Sequence, residues 1–282
     1  MTILVFGSTG QVARELAHFS RNICLEKSRA DLTSPTACSE IICQLRPKAV
    51  INAAAYTDVD KAEKNEALAL LINGDAPTAM ANTCAKLGIP FVHISTDYVF
   101  DGKGKHSRMP DEPTAPLGAY GRSKLRGEKG IQQAGGIYVI LRTSWVFSEQ
   151  GTNFVKAILT LAETQKELRV VSDQFGGPTP AKDIAIACQK IATDLILGRG
   201  KSGTYHFSGE PDLSWAEFAR EILWQTGKTV SVKSITSTEY QTLGKRPKNS
   251  RIDCTSLYDT FGIVRSDWKV GLRYVIDKLG SS

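Results

Sequence analysis

Thr2-Ile3-Leu4-Val5-Phe6, followed by Gly7-Ser8-Thr9-Gly10-Gln11-Val12-Ala13-Arg14-Glu15-Leu16, is the stretch that decides the fold. A short apolar strand runs into a glycine turn, and helical periodicity takes over at once. Strand, glycine turn and helix are the dinucleotide-binding arrangement: Gly7 and Gly10 admit a tight turn, and the helix N-terminus faces a diphosphate. Ala13 occupies the third glycine position, where only helix–strand packing is required. Gly-x-x-Gly recurs at Gly118–Gly121 and Gly127–Gly130, so its place directly after an N-terminal strand carries the reading.

Working outward, Asn22 to Glu26 reads as a second strand. Glu26 at its end suits the hydroxyls of an adenine-side ribose, whereas Lys27, Ser28 and Arg29 could accept a 2′-phosphate. The reading leans to NADPH, with NADH possible. Ser34-Pro35 marks the start of a helix reaching Leu45. Lys48 to Asn52 is a third strand, ending in Ala53-Ala54-Ala55-Tyr56-Thr57, small residues that let a cofactor approach the backbone. A helical region through Lys86 contains Asn73, which could bond the sheet backbone or be solvated. Phe91 and Ile137 begin the fourth and fifth strands. Strands separated by helices predict an α/β fold, a Rossmann-type doubly wound parallel sheet. Beyond Trp145 the rhythm changes to shorter elements, including a capping box at Ser214 and Glu217. The expected division is a nicotinamide-cofactor domain over 1–145, to which some later segments return, and a smaller C-terminal α/β substrate lobe over 146–282.

The chemistry lies between Phe91 and Lys124. Phe91-Val92-His93-Ile94-Ser95-Thr96-Asp97-Tyr98 is an apolar run ending in hydroxyls. After a Gly/Pro-broken loop, expected to be mobile and near the substrate, comes Tyr120-Gly121-Arg122-Ser123-Lys124. Four-residue spacing places phenol and ammonium on one helical face. A neighbouring Lys⁺ is expected to lower the phenol pKa from about 10, making Tyr120 an acid near neutral pH with Thr96 as a second donor. Tyr274 and Lys278 share the spacing, with no hydroxyl-ended strand before them, and read as part of a surface helix. His93 alternates into the strand and reads as a core histidine; His106 reads as a loop residue. The basic stretch Gly244 to Arg251 is either a solvated loop or a site where Arg246 and Arg251 meet a substrate diphosphate. Trp145, and Asn153 at the start of the next helix, are further candidate substrate contacts.

Net charge is +6 over 282 residues, but the cations are scattered and no basic–aromatic stripe accompanies them, so nucleic acid is not an expected partner. The six cysteines contain no Cys-x-x-Cys pair, and no metal-ligand cluster stands out. Without a charged-then-apolar leader or a long apolar segment, the expectation is a cytoplasmic protein that does not span a membrane.

Several motifs together resemble the extended short-chain dehydrogenase/reductase family: Gly7 to Val12, Asn52 to Thr57, Val59-Asp60-Lys61-Ala62-Glu63, Ser95 to Phe100, Tyr120 to Lys124, Arg142-Thr143-Ser144-Trp145-Val146, Asp173-Gln174-Phe175-Gly176 and Arg246 to Arg251. The Ser95–Phe100 and Arg142–Val146 runs are similar to one branch, which reduces the C4 ketone of dTDP-4-dehydro-6-deoxy-L-mannose to dTDP-L-rhamnose with NAD(P)H. The resemblance implies catalytic roles for Thr96, Tyr120 and Lys124. It implies cofactor contacts from Gly10, Gln11, Val12, Asp31, Leu32, Ala55, Tyr56, Thr57, Tyr120 and Lys124, and sugar-nucleotide contacts from Thr96, Asp97 and Trp145. The segment after the second strand is shorter than in some members, which leaves the alignment of Glu26 and Arg29 open. Some members are dimers bridged by magnesium through acidic side chains. Here Pro178-Thr179-Pro180-Ala181-Lys182 places a lysine where such a carboxylate would sit, so the expectation is against magnesium and for a monomer or weak homodimer. Two other readings share the fold: an NDP-sugar epimerase or dehydratase, and a non-catalytic NADP-binding regulatory subunit of the methionine adenosyltransferase type.

Overall fold

The computed structural model describes residues 2–240 and 242–280. Its central sheet contains β1 (Ile3–Phe6), β2 (Asn22–Leu25), β3 (Ala49–Asn52), β4 (Phe91–Thr96) and β5 (Tyr138–Thr143). All pair in parallel, in the spatial order β2-β1-β3-β4-β5, and the strand Gly203–His206 adds itself in parallel beyond β5. This is the Rossmann-type sheet expected. The later strand reads as a strand from sequence alone, and its pairing with Val139 to Arg142 reveals its place in this sheet.

Both faces are covered, so the strands carry nearly unbroken apolar runs. Helix α1 (Gln11–Leu16) and the helix Ala181–Ile196 bury Val5, Leu16, Ile51, Val92, Ile184 and Ile191 on one face. Helices α2 (Pro35–Leu45) and α5 (Ala76–Leu87) bury Leu4, Phe6, Ile42, Met80 and Phe91 on the other. Each such side chain, fully buried, contributes roughly 1.5–3 kcal/mol. Strand order reverses between β1 and β3, the crevice where such sheets bind ligands.

The helical region before α5 is broken into α3 (Val59–Lys64), α4 (Glu66–Leu70) and a π-helical turn, Leu71–Asp75. The widened turn carries Asn73 inward, and such turns recur at functional sites. Helix α6 (Ala119–Ala134) packs against it with almost no clearance: a Cβ at Gly121 would collide with the Tyr98 carbonyl, and one at Gly127 with the Asn73 carbonyl. Glu63 Oε1 accepts the Ala119 N–H at 2.8 Å and fixes where α6 begins.

A second core gathers Phe147, Val155, Leu168, Phe218, Trp268 and Leu272. Around it lie helices Phe154–Thr164, Trp215–Gln225 and Trp268–Gly280 and the parallel pair Glu167–Val171 with Ser231–Ile235. Ser214 and Glu217 form the reciprocal capping box expected. The loop after β4 is tied down, in contrast to the mobile loop expected. Asn249 N–H donates to Gly102 O, Arg108 N–H to Arg251 O and Asp253 N–H to Arg108 O. The Arg108 guanidinium holds both Asp101 and Glu112. Among the described residues no helix is long and apolar enough to cross a membrane.

Candidate active site

The strand ends meet at the β1/β3 crevice. Gly7 adopts φ +108°, and a Cβ there would stand 3.4 Å from Ala54. Gly10 is the N-cap of α1 and offers no capping side chain, so the first N–H groups of the helix are left to a ligand. The cradle fits a nucleotide diphosphate. Val12 is buried in the core, while Gln11 Oε1 accepts from Ser148 Oγ at 3.1 Å and Asn153 Nδ2 at 2.9 Å. Glu26 and Arg29 are exposed just beyond β2. Asp31 accepts the Thr33 N–H at 2.9 Å, which holds its carboxyl below the usual range, and Leu32 is buried beside it. After β3, Tyr56 is pinned by Asn73: its N–H donates to Oδ1 at 2.8 Å and its carbonyl accepts from Nδ2 at 2.9 Å. Ala55 and Thr57 flank this anchored residue.

Thr96 ends β4 beside Tyr120 at the head of α6. A hydrogen bond with the Thr96 side chain favours the ionised phenol, but burial outweighs it and nearby Asp97 adds to burial, pushing the Tyr120 phenol up to about 12. The expectation that Lys124 lowers this phenol is therefore corrected. Lys124 is 1% exposed and its Nζ is turned into the sheet, 2.7 Å from Ile94 O and 3.0 Å from His93 Nε2. Burial also brings the Lys124 ammonium down to about 8, against the opposing charge of Glu128. Asp97 is 2% exposed, accepts from Thr96 Oγ1 at 3.2 Å, and leaves Oδ2 with no hydrogen-bond partner among the described residues. Burial raises its carboxyl to about 7.

From this corner a cavity of about 1330 Å³ extends into the second lobe. Tyr98 lines it and meets Tyr120 edge-on, ring centroids 5.5 Å apart. Its basic lining residues are Lys103, Arg169, Lys245, Arg246 and Lys248, beside the acidic Asp101 and Glu167, and its apolar wall includes Phe154, Val170 and Trp215. Arg246 pairs with Asp60 at 3.2 Å, while its buried Nη1 has no partner among the described residues. Arg251 is placed elsewhere: it stacks 4.5 Å over Phe175 and donates to Asn249 Oδ1. Trp145, at φ +48°, lies flat on Trp215 with centroids 3.5 Å apart, one ring face already covered. Asn153 caps its helix, accepting from Lys156 N–H, and its amide donates to Gln11 and to the Ser148 carbonyl. Its hydrogen-bonding groups are thus engaged in joining the lobe to α1.

Sequence reading missed Tyr98, Trp215, Arg169 and the contact of His93 with Lys124. Tyr98 stands two residues after Thr96, the end of β4, and was within reach of pattern reasoning; Trp215 and Arg169 come from elements whose placement only the fold reveals. Of the two histidines, His106 is an exposed loop residue near Glu112, as expected. Lys182 Nζ lies 4.0 Å over the Tyr274 ring, and its charge acts on Glu15 and Asp183.

Residues 1–281 match the family model described as the RmlD substrate binding domain. A dTDP-4-dehydrorhamnose reductase of Sinorhizobium fredii is 39% identical over 98% of this chain and 97% of its own. The structure of a Clostridium acetobutylicum dTDP-4-dehydrorhamnose reductase superposes with a TM-score of 0.93 at 36% identity, covering 99% of this chain and 100% of that one. A Bacillus anthracis dTDP-4-dehydrorhamnose reductase in complex with NADP gives 0.91 at 31% identity, with the same coverage. With an intact glycine cradle, a threonine–tyrosine–lysine corner and end-to-end similarity, the chain belongs to the dTDP-4-dehydrorhamnose reductase family of oxidoreductases.

Proposed function

We propose that this protein reduces the C4 ketone of dTDP-4-dehydro-6-deoxy-L-mannose to dTDP-L-rhamnose, with Tyr120 as general acid. The observation that carries this reading is the hydrogen bond between Thr96 and Tyr120 at a corner where Tyr98, edge-on to Tyr120, lines a large cavity that also presents basic side chains. A bound nicotinamide cofactor would supply the hydride; Gly7, Gly10 and the α1 N-terminus would hold its diphosphate, and Tyr56 and Lys124 would flank the far end. NADPH is the proposed partner, from Arg29 and Lys27 beside the end of β2.

Tyr120 keeps its proton at neutral pH because burial disfavours the phenolate, and it gives that proton to the C4 oxygen as negative charge develops there. Thr96 orients the carbonyl. Arg246, with a partnerless buried N–H group, and Lys245 would meet the substrate diphosphate. Asp97 would face a sugar hydroxyl. Residues 1–145 with the later sheet segments would carry the cofactor, and most of 146–282 the nucleotide sugar. Lys182, stacked on Tyr274 and facing Glu15 and Asp183, supports a monomer or weak homodimer with no magnesium requirement.

The test is a coupled assay in which the dTDP-4-dehydro sugar is generated in place. NADPH and NADH oxidation are followed with magnesium or with a chelator. One cofactor oxidised per rhamnose nucleotide formed, faster with NADPH, is the expected result. Cofactor recycled without net oxidation would mean an epimerase or dehydratase, and no turnover by cofactor-binding protein would mean the regulatory reading.

A further inference from the structure

The Val59-Asp60-Lys61-Ala62-Glu63 motif makes up most of α3, which follows closely on Tyr56 and Thr57. Asp58 caps the helix through the Lys61 N–H and pairs with Lys61 Nζ at 2.9 Å, so that cation is matched locally. Ala62 is buried with Ala119 in a small cluster against which Tyr56 and Tyr120 pack, and Glu63 accepts the Ala119 N–H. These contacts fix α3 against the head of α6, and so against Tyr120. Asp60 reaches the other way, into the second lobe. Its Oδ1 accepts the Gly244 N–H at 2.8 Å, and its Oδ2 accepts from Arg246 Nη2 at 3.2 Å. Gly244 lies so close to α3 that a Cβ there would collide with Val59. One guanidinium nitrogen is thus held by Asp60, and Nη1 is left buried and without a partner among the described residues, in a side chain that lines the cavity.

We propose that Asp60 is a positioning residue that holds the Arg246 guanidinium ready for the substrate diphosphate, so that α3 sets the spacing between this diphosphate arm and Tyr120. The charges of Asp60 and Arg246 both act on Tyr98, the ring that meets Tyr120 edge-on, which places the pair at the same corner. The Asp60 and Arg246 side chains are 39% and 27% exposed, and an ion pair so open to water adds little to stability. Its effect is geometric. An arginine fixed before the ligand arrives loses less rotamer freedom on binding.

Asp60 can act in this way only if Arg246 meets that diphosphate, as read above, and the experiment separates the two. Equilibrium binding of dTDP to the full-length, NADPH-loaded protein is measured for Arg246→Gln, Asp60→Asn and the double variant. Arg246→Gln should weaken dTDP by roughly 10- to 100-fold, through loss of charge-assisted hydrogen bonds. Asp60→Asn, which keeps an acceptor for Gly244, should weaken it by roughly two- to fivefold and raise KM for the sugar nucleotide more than it lowers kcat. The sign is diagnostic. Removing an anion near a diphosphate would by charge alone tighten binding, whereas losing the hold on Arg246 weakens it. In the Arg246→Gln background the same change should cause no further loss, while a loosened loop would weaken binding in both backgrounds. Arg246→Gln that binds dTDP like the parent would refute the diphosphate reading, and the role of Asp60 with it. If Arg246→Gln is weakened but Asp60→Asn is unchanged or tighter, or if the double variant loses more, the positioning role alone is overturned. If Asp60→Asn does not fold, ¹⁵N-arginine NMR of the parent decides. With NADPH bound and no dTDP, Arg246, assigned by its absence in Arg246→Gln, should show restricted guanidinium rotation; free rotation overturns the proposal.

Discussion

Tyr120–Lys124 and Tyr274–Lys278 share one spacing and occupy opposite environments. On α6 the lysine is sealed against central strand β4, bonded to His93 and Ile94, and the phenol bonds Thr96 near Asp97. On the C-terminal helix the Tyr274 ring is a platform: Lys278 lies 5.7 Å from its centroid and Lys182, from another helix, 4.0 Å. The same two residue types make a buried hydrogen-bonded corner, the proposed proton-handling site, in one place and a surface cation–π cluster in the other. What differs is the neighbouring backbone and burial. In the first pair the charges are suppressed; in the second they are displayed.

The sharpest way to break this contrast is to remove each hydroxyl in turn. Tyr120→Phe should lower kcat by roughly 10²–10⁴-fold, the span of a general acid, while fluorescence titration shows NADPH still binding. Tyr274→Phe should stay within about twofold of the parent. Comparable losses in both would mean that Tyr120 acts by packing rather than by proton transfer.

Next in size is the suppressed charge of Asp97. Its folded carboxyl sits at about 7 against an ordinary 3.8, so the native state binds more protons than the unfolded chain between those values. Stability therefore falls as pH rises through that window. Asp97→Asn removes the charge and should stabilise the protein by up to ~2–4 kcal/mol at pH 8, little at pH 4, and should lower activity. Urea unfolding at the two pH values measures the difference. Equal stabilisation at both would show that Asp97 is not held above its ordinary range. His93 and His206 have the opposite sign. Burial keeps both neutral, His206 down to about 3, so stability should drain away as pH falls below about 6.5.

Gly121→Ala probes how closely the site is held. The added methyl meets the Tyr98 carbonyl and Pro116, so α6 must shift and carry Tyr120 with it. A loss of ~1–3 kcal/mol is expected, with kcat falling more than KM rises. Unchanged kinetics would mean that the corner tolerates displacement of its helix.

How much of this was legible in the chain depends on whether the signal is local. The β1 turn, the capping box at Ser214 and the Tyr120–Lys124 spacing are written within a few residues, and the structure puts each where the pattern predicts it. His93 was half legible: alternation buries it, but its nitrogens are satisfied by Asn52 from the neighbouring strand and Lys124 from a helix. Neither partner can be named without the register of β3 on β4. A sequence signal did exist, since an asparagine ends one buried strand and a histidine lies within the next. The downward pull of Lys124 on the Tyr120 pKa was misread because four-residue spacing sets a shared helical face and leaves the direction of the lysine tip open. Arg251 was grouped with Arg246 by proximity in sequence, yet the short strand Asn249–Ser250 lies between them and sends the two side chains to different places.

The smallest expected effect belongs to the displayed pair. Lys182 is exposed and contributes its ammonium to Tyr274, worth ~0.5–1 kcal/mol at such a site. Lys182→Glu removes that contact and adds a third carboxylate near Glu15 and Asp183, whose carboxyls burial already raises. The variant should lose about 1 kcal/mol, and millimolar magnesium should restore its Tm while leaving the parent unmoved, because a divalent cation gains only where the anions outnumber the local cation. Activity should be untouched in both, since this cluster lies outside the corner that holds Tyr120. A parent protein whose Tm or dimer fraction rises with magnesium would show that Lys182 does not block the ion, and that the displayed lysines do more than pack.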